Sequence, residues 1–254
     1  LSFSLEKQLT AVRDGFISTA EEKYGIKIKY GSMSPAFFKR LLLRDVSIYD
    51  AENGERVAFF SLIYVDYRFF SLIKKDALSA VAAVRIYDGA IDVNTVKNRN
   101  VLDKLLRKKE PSAAVLQPEE KDGASISAVR AFEEELKNLR GKIKPANIIL
   151  RNIALNYSSE TFRSNFYISG AKFNLTPEKI EFNLGSNFSF HSFTQKNIPD
   201  VFTALNVSGS FYQSNASASS IINFSGIRAG EVDINKISLF ASYMDKVLSV
   251  TTLQ

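Results

Sequence analysis

Residues 41–67 read LLLRDVSIYDAENGERVAFFSLIYVDY, and residues 81–93 read VAAVRIYDGAIDV. Apolar side chains alternate with other residues on both sides of Asn53-Gly54. An Asn-Gly pair between two such runs is a strong hairpin signal, because both residues accept the backbone angles of a tight turn. The stretch therefore predicts the opening strands of an antiparallel sheet. Asp88-Gly89 predicts either a second tight turn or a glycine bulge within one long strand.

The predicted hairpin carries more apolar surface than a solvated sheet tolerates. Its second strand also has apolar side chains, Phe60, Leu62 and Tyr64, at the alternate positions. An apolar face of this kind is normally covered by another layer or by a ligand. The alternation predicts that one face of the two strands is formed by Val46, Ile48, Val57, Phe59, Ile63 and Val65.

From Ala146 onward the sequence alternates almost without interruption between apolar residues and Asn, Ser, Lys or Thr. This period predicts long strands with one apolar and one polar face. The alternation changes phase at Gly170, which predicts a bulge there. The apolar positions in the middle of this region are Phe173, Leu175, Ile180, Phe182, Leu184, Phe188 and Phe190.

Three segments have helical periodicity, at about residues 3–24, 98–109 and 127–140. Gly25 follows the first segment and predicts its end, because glycine adopts the left-handed turn after a helix easily. The chain therefore divides into an N-terminal helix with the opening sheet at 1–95, a helical insert with an exposed linker at 96–145, and an antiparallel meander at 146–254.

Composition excludes several classes of function. The 254 residues are 45% hydrophobic, carry a net charge of +6 and contain no cysteine, so we expect a folded chain without disulfides or thiolate metal sites. His191 is the single histidine, and no phosphate-binding loop is present. We expect no enzyme activity, no cofactor and no metal. The aromatic residues alternate with Asn and Ser rather than Lys and Arg, which disfavours nucleic acid.

One short segment has the composition of a membrane-surface contact. Two aromatic residues stand next to two cations at Phe37, Phe38, Lys39 and Arg40. Aromatic rings favour the membrane interface and cations favour anionic head groups, so this segment is predicted to be membrane-proximal. An aromatic pair packed inward, with the cations solvated, explains the pattern equally well.

The predicted numbers of helices and strands are compatible with two architectures. Three helices cannot cover about ten long strands, so the sheet must fold against a second sheet, as in a sandwich, or remain open. The fold expected is mainly β with a few helices: a long antiparallel meander curled into an open β-groove, with the N-terminal amphipathic helix at one end.

The order of these segments resembles the N-terminal region of AsmA-like and TamB-like proteins. The resemblance covers about residues 1–95 and is carried by YGIKIKYGSMSP at 24–35, the hairpin quoted above and VRIYDGAIDV at 84–93. The chain departs from the family in the insert at 98–142 and in starting with Leu1 and no membrane anchor, which we expect to precede it.

The resemblance implies a periplasmic protein anchored to the inner membrane that carries phospholipid acyl chains along a β-groove between the inner and outer membranes. For TamB-like members it also implies an outer-membrane barrel protein as a partner. The apolar residues given above for the hairpin strands, Val46 to Val65, and for the later strands, Phe173 to Phe190, would line the groove. The alternative is a non-enzymatic β-sandwich that docks an outer-membrane assembly partner through a free strand edge.

Overall fold

The computed structural model describes twelve β-strands and shows that the chain is mainly β. The described residues are 14, 17–18, 21–22, 24–35, 40–68, 81–95, 97–98, 101, 146–194, 198–212, 214–215, 217–244 and 247–253. The strands are β1 Ile26–Lys29, β2 Ser32–Pro35, β3 Arg40–Asp50, β4 Arg56–Tyr67, β5 Val81–Asn94, β6 Ala146–Ser158, β7 Phe162–Leu175, β8 Lys179–Ser192, β9 Val201–Tyr212, β10 Ser217–Ala229, β11 Val232–Met244 and β12 Val247–Leu253.

All twelve strands belong to one open sheet. From β3 to β12 each strand pairs with the next along the chain, and β1 and β2 both pair with the outer edge of β3. The sheet does not close, because β12 pairs only with β11. Within the described ranges there is no second sheet, so the described strands form an open sheet and not a sandwich.

The predicted hairpin is present between β3 and β4. Gly54 has a φ of +71°, the left-handed conformation that glycine adopts without strain. The turn is closed by side chains as well as by the backbone. The Asp50 carboxylate accepts a hydrogen bond from the Glu52 amide at 2.9 Å, and the Asn53 side chain accepts one from the Glu55 amide at 2.8 Å.

The junction between β5 and β6 corrects the prediction of a meander that is antiparallel throughout. These two strands are parallel, with Val84 opposite Ile148 and Ile91 opposite Leu155. Parallel neighbours need a long connection, and residues 95–145 separate the two strands, whereas every other neighbouring pair is antiparallel. Alternation within a strand does not show which way its neighbour runs, so the sequence pattern missed this junction.

Side-chain pairs hold the parallel junction in register. Asn152 donates a hydrogen bond to Asp88 at 2.8 Å, and Asn156 donates one to Asp92 at 2.7 Å. At the end of the strands, the Asn94 amide contacts the Ser158 hydroxyl at 3.1 Å. These pairs are separated by the same number of residues along the chain, so a slip of one position would break all of them.

A line of left-handed residues crosses β3, β5 and β6. Asp45, Asp88 and Asn152 have φ values of 52°, 51° and 56°. Asp and Asn tolerate this conformation better than other non-glycine residues. We call the line the crease. In a regular strand, side chains three residues apart point to opposite faces. The crease shifts the alternation by one residue, so Leu43 and Val46 lie on the same face and pack in the same apolar cluster.

The crease continues into the neighbouring strands. Phe60 and Ile63 of β4 share the same cluster, as do Ile168 and Ala171 of β7. The register of β7 with β8 shifts between Ile168 and Gly170, which confirms the phase change predicted at Gly170. Strand β5 runs without a break through Asp88-Gly89, so no tight turn forms there.

The predicted helices lie largely outside the described residues and remain predictions. At the end of the first one, Glu21 and Glu22 have helical backbone, and the Gly25 amide donates to the Glu21 carbonyl at 2.9 Å. Gly25 has a φ of +63°, as expected for a residue that ends a helix. None of the helical residues in the described part forms a segment that could span a bilayer.

Gly89→Ala tests the packing at the crease. A Cβ at position 89 would lie within 3.0 Å of the Phe60 ring and of the Phe59 carbonyl oxygen. We expect the free energy of unfolding, measured by urea titration, to fall by about 1–3 kcal/mol. Gly170→Ala is the matched control, because its Cβ would meet nothing within 4 Å. Equal effects of the two substitutions would contradict this packing.

Candidate functional site

One face of the sheet presents a largely apolar surface, which we call the apolar face. Strand pairing aligns its side chains in rows that run across the strands. One row crosses nine strands, and eight interstrand steps of about 4.8 Å give it a length of about 38 Å. This row consists of Leu43, Ile63, Ile86, Leu150, Ala171, Leu184, Val207, Ile222 and Leu239.

The opposite face, the polar face, holds nearly all the charged side chains of the described strands. The pairing register assigns to it, for example, Arg85, Arg151, Lys172, Glu181 and Lys236. Asp50 is the exception, because it follows Ile48 on the apolar side at the end of β3. Charged side chains are therefore nearly absent from the apolar face along the whole of the described sheet.

The apolar face is packed most tightly beside the crease. Six side chains of β3, β4, β6 and β7 form a buried cluster there, and Ile153 is only 2% exposed. Further along, the face is less buried: Val207 and Leu205 of β9, and Ile222 and Phe224 of β10, keep partial exposure. The buried cluster consists of Val46, Ala58, Phe60, Ile153, Ile168 and Ala171.

Most of the predicted lining residues lie on the apolar face. Their role in holding lipid stays a prediction, but register and packing bring them onto one surface. In the first region these are Val46, Ile48, Ile63 and Val65. In the second region they are Phe173, Leu175, Ile180, Phe182, Leu184, Phe188 and Phe190.

Two predicted lining residues are placed differently. Phe59 is opposite Ser47 and Ala90 and lies on the polar face, and the Arg56 guanidinium lies 5.4 Å from the centre of its ring. Val57 is buried at the register shift near the start of β4, apart from the main cluster. The crease causes the difference, because it brings Phe60 and Ala58 to the apolar face instead.

Aromatic rings on the apolar face lie against glycines of the neighbouring strand. Phe182 is opposite Gly209, and a Cβ at that glycine would lie within 3.0 Å of the ring. Phe60 covers Gly89 in the same way. Covering a glycine with a ring from the next strand restores contact area where the sheet lacks a side chain. The rings thereby form part of a smooth surface.

Arg40 is the one described residue of the predicted membrane-proximal segment, and it is engaged in the sheet. Its guanidinium contacts Asp66 at 2.5 Å, and Arg85 contacts the other oxygen of that carboxylate at 2.8 Å. The hydrogen bond and the charge of Asp66 raise the pKa of the Arg40 guanidinium above its usual value. Phe37, Phe38 and Lys39 lie outside the described residues.

Among the described residues, the closest approach to a catalytic pair is made by the single histidine. His191 contacts the Asp200 carboxylate at 2.5 Å, and about half of each side chain is exposed. Within the described residues, no group of His, Cys, Asp and Glu is arranged to hold a metal ion. The apolar face is therefore the principal candidate site.

Truncation of two apolar-face isoleucines tests the gradient of packing along this face. Ile153→Ala should lower the free energy of unfolding by about 2–4 kcal/mol, because the site is closed and leaves a cavity. Ile222→Ala should cost less than half as much, because Ile222 is already partly exposed. Urea unfolding of both proteins measures the difference. A larger loss at Ile222 would contradict the gradient.

Comparison with known proteins identifies a family but not an activity. Residues 6–192 match the family model TP_0324_N, whose description is "N-terminal domain". No curated protein and no solved structure matches the chain. The family name contains no biochemical function and no reference to AsmA-like or TamB-like proteins. Because the match covers more than half of the chain, the protein belongs to the TP_0324_N N-terminal domain family.

Proposed function

We propose that this domain is a lipid-transfer module whose apolar face holds phospholipid acyl chains. The observation that carries the proposal is the apolar row that crosses nine strands of a single open sheet, with the charges on the opposite face. At about 38 Å, the row is longer than the hydrocarbon core of a bilayer, which is about 30 Å thick.

The physical chemistry of the face suits a hydrocarbon chain that must slide. Burying one methylene group gains about 0.8 kcal/mol, and the gain is similar wherever the chain lies along an apolar row. The backbone N–H and C=O groups of interior strands are paired in the ladder, so they offer the lipid no unsatisfied polar group. Transfer along such a face needs no chemical step and therefore no catalytic residue.

We place the acyl chains against the long apolar row, eight of whose nine side chains are partly exposed. The buried cluster lies on β3, β4, β6 and β7, whereas Ile222 and Phe224 of β10 and Leu239 of β11 are partly exposed. Phe182 and Phe188 of β8 stand at the border between the two zones.

The cellular setting is proposed from the resemblance to AsmA-like and TamB-like proteins. On that basis the domain works in the periplasm, is held at the inner membrane by an anchor that precedes it, and passes phospholipid toward the outer membrane. A partnership with an outer-membrane barrel protein belongs to the same proposal. A curled, groove-like shape of the sheet is the form in which the apolar face would best enclose an acyl chain.

A strand-docking module is the second candidate. The last strand, β12, has a free edge, and Val247, Leu248 and Val250 are 62%, 68% and 57% exposed. A free edge with apolar side chains can accept an additional strand from a partner. The sandwich form of this candidate has no support from the described strands, which form one sheet.

Ile222→Asp tests lipid binding on the apolar face. The charge would lie on the long row at β10, where an acyl chain cannot solvate it. We expect the wild-type protein to copurify with phospholipid and the variant to retain about tenfold less, measured by mass spectrometry of extracted lipids. Ile222 is preferable to Phe182 because Phe182 also packs on Gly209.

Ile221→Asp is the matched control. Ile221 is the adjacent residue, is 41% exposed and lies on the polar face. It should retain wild-type lipid content, and circular dichroism should show that both variants are folded. Absence of lipid from the wild-type protein, or equal loss from the two folded variants, would show that the apolar face is not a lipid site.

A further inference from the structure

We propose that the polar face carries a second site, which binds an uncharged oligosaccharide. A cavity of about 610 Å³ opens there above β7 to β10. Its lining includes Tyr167, Phe202, Asn165, Asn187 and Arg228. These five side chains lie on the polar face; Phe188 also lines the cavity, but none of the nine residues of the long apolar row does.

The cavity exists because the sheet is irregular at this point. Gly226 has a φ of +58°, and the register of β9 with β10 shifts between Ser225 and Arg228. Small side chains, Ser189 and Ala204, line the cavity between the two aromatic residues. A depression with aromatic walls is therefore fixed by regular strands on both sides, as is usual for ligand pockets.

Two aromatic side chains of the cavity are unusually exposed for rings on a sheet. Tyr167 is 42% and Phe202 is 51% exposed. They lie on β7 and β9, two strands and one row apart, which places their Cα atoms about 12 Å from each other. The Tyr167 hydroxyl donates to Asn152 at 3.2 Å, which fixes that ring. The pair forms two separate apolar platforms that a linear ligand of a few rings can bridge.

Polar groups between the platforms retain hydrogen-bonding capacity. Asn165 donates one hydrogen bond, to the Ser189 hydroxyl at 3.3 Å, and its carbonyl oxygen is left to accept another. The Asn187 amide makes no hydrogen bond within the described part of the chain and is exposed. The site thus offers planar amide donors and acceptors beside aromatic faces.

This combination matches the chemistry of a sugar. A pyranose ring has an apolar C–H face that packs on an aromatic ring and a rim of hydroxyl groups that bind amides. An acyl chain would leave the two amides without partners. A nucleic acid strand would need several cations along its phosphates. Arg228 is the single charged residue that lines the cavity among the described residues, and Asp233 lies 3.7 Å from it.

The absence of tryptophan from the sequence allows a direct test. Phe202→Trp places one fluorophore in the cavity, and titration with chitotetraose or cellotetraose should change its emission in a saturable way. Adding Tyr167→Ala to this protein should weaken binding about tenfold. Adding Tyr212→Ala should not, because Tyr212 is equally exposed, at 42%, but lies outside the cavity.

A second measurement uses the protein without the introduced tryptophan, so that any effect of the substitution on the cavity is avoided. In the unsubstituted protein, nuclear magnetic resonance should show shifts of the Asn165 and Asn187 side-chain amides on addition of the same sugars. The proposal is overturned if neither sugar changes fluorescence or amide shifts, if Tyr212→Ala weakens binding as much as Tyr167→Ala, or if an oligothymidylate binds instead.

Discussion

The hydrogen bond between Asn152 and Asp88 joins the two features on which the rest of the sheet depends. Both residues have left-handed backbone, and both lie at the parallel junction of β5 and β6. The bond therefore stabilises the crease and the register of the junction together. Without the crease, the residues on either side of it would face opposite directions, and neither face would be uniformly apolar. Without the junction, the first and second regions of strands would not form one sheet.

Because its two faces differ in composition, the single sheet offers two kinds of surface. The long apolar row has the chemistry of a bilayer interior, whereas the polar face combines cations, amides and scattered aromatic rings. A two-sheet sandwich would use its inner faces for stability alone. A single sheet keeps both faces accessible to ligands, and the proposed lipid and oligosaccharide sites use one face each.

Local signals were sufficient to predict the strands and one irregularity. Asn53-Gly54 marked the hairpin, and the phase change at Gly170 marked the bulge. The reversal in β4 could not be predicted, because Ser61 stands at that point and neither glycine nor proline marks it. Phe59 was therefore assigned to the wrong face. The direction of β6 was not predictable either, since it depends on a partner distant in sequence.

Part of the candidate sites could be predicted from the alternation within each strand. The lining positions from Phe173 to Phe190 follow regular alternation after the bulge, so their common face was evident from the sequence. The cavity on the polar face was missed. Its signal is present, however, because Tyr167 and Phe202 occupy positions where the alternation calls for a polar residue. Aromatic residues at strand positions where the alternation predicts a polar residue are thus candidates for ligand contact.

The side-chain pairs at the parallel junction have a consequence for how the chain tolerates change in length. Asp88, Asp92 and Asn94 meet Asn152, Asn156 and Ser158 directly, so the two strands carry alignment contacts of their own, separate from the residues that join them. Insertions after residue 101 and before residue 146 would leave these contacts in place, and closing a longer loop adds little entropic cost. The same independence would allow the two halves, produced as separate polypeptides, to reassemble by complementation.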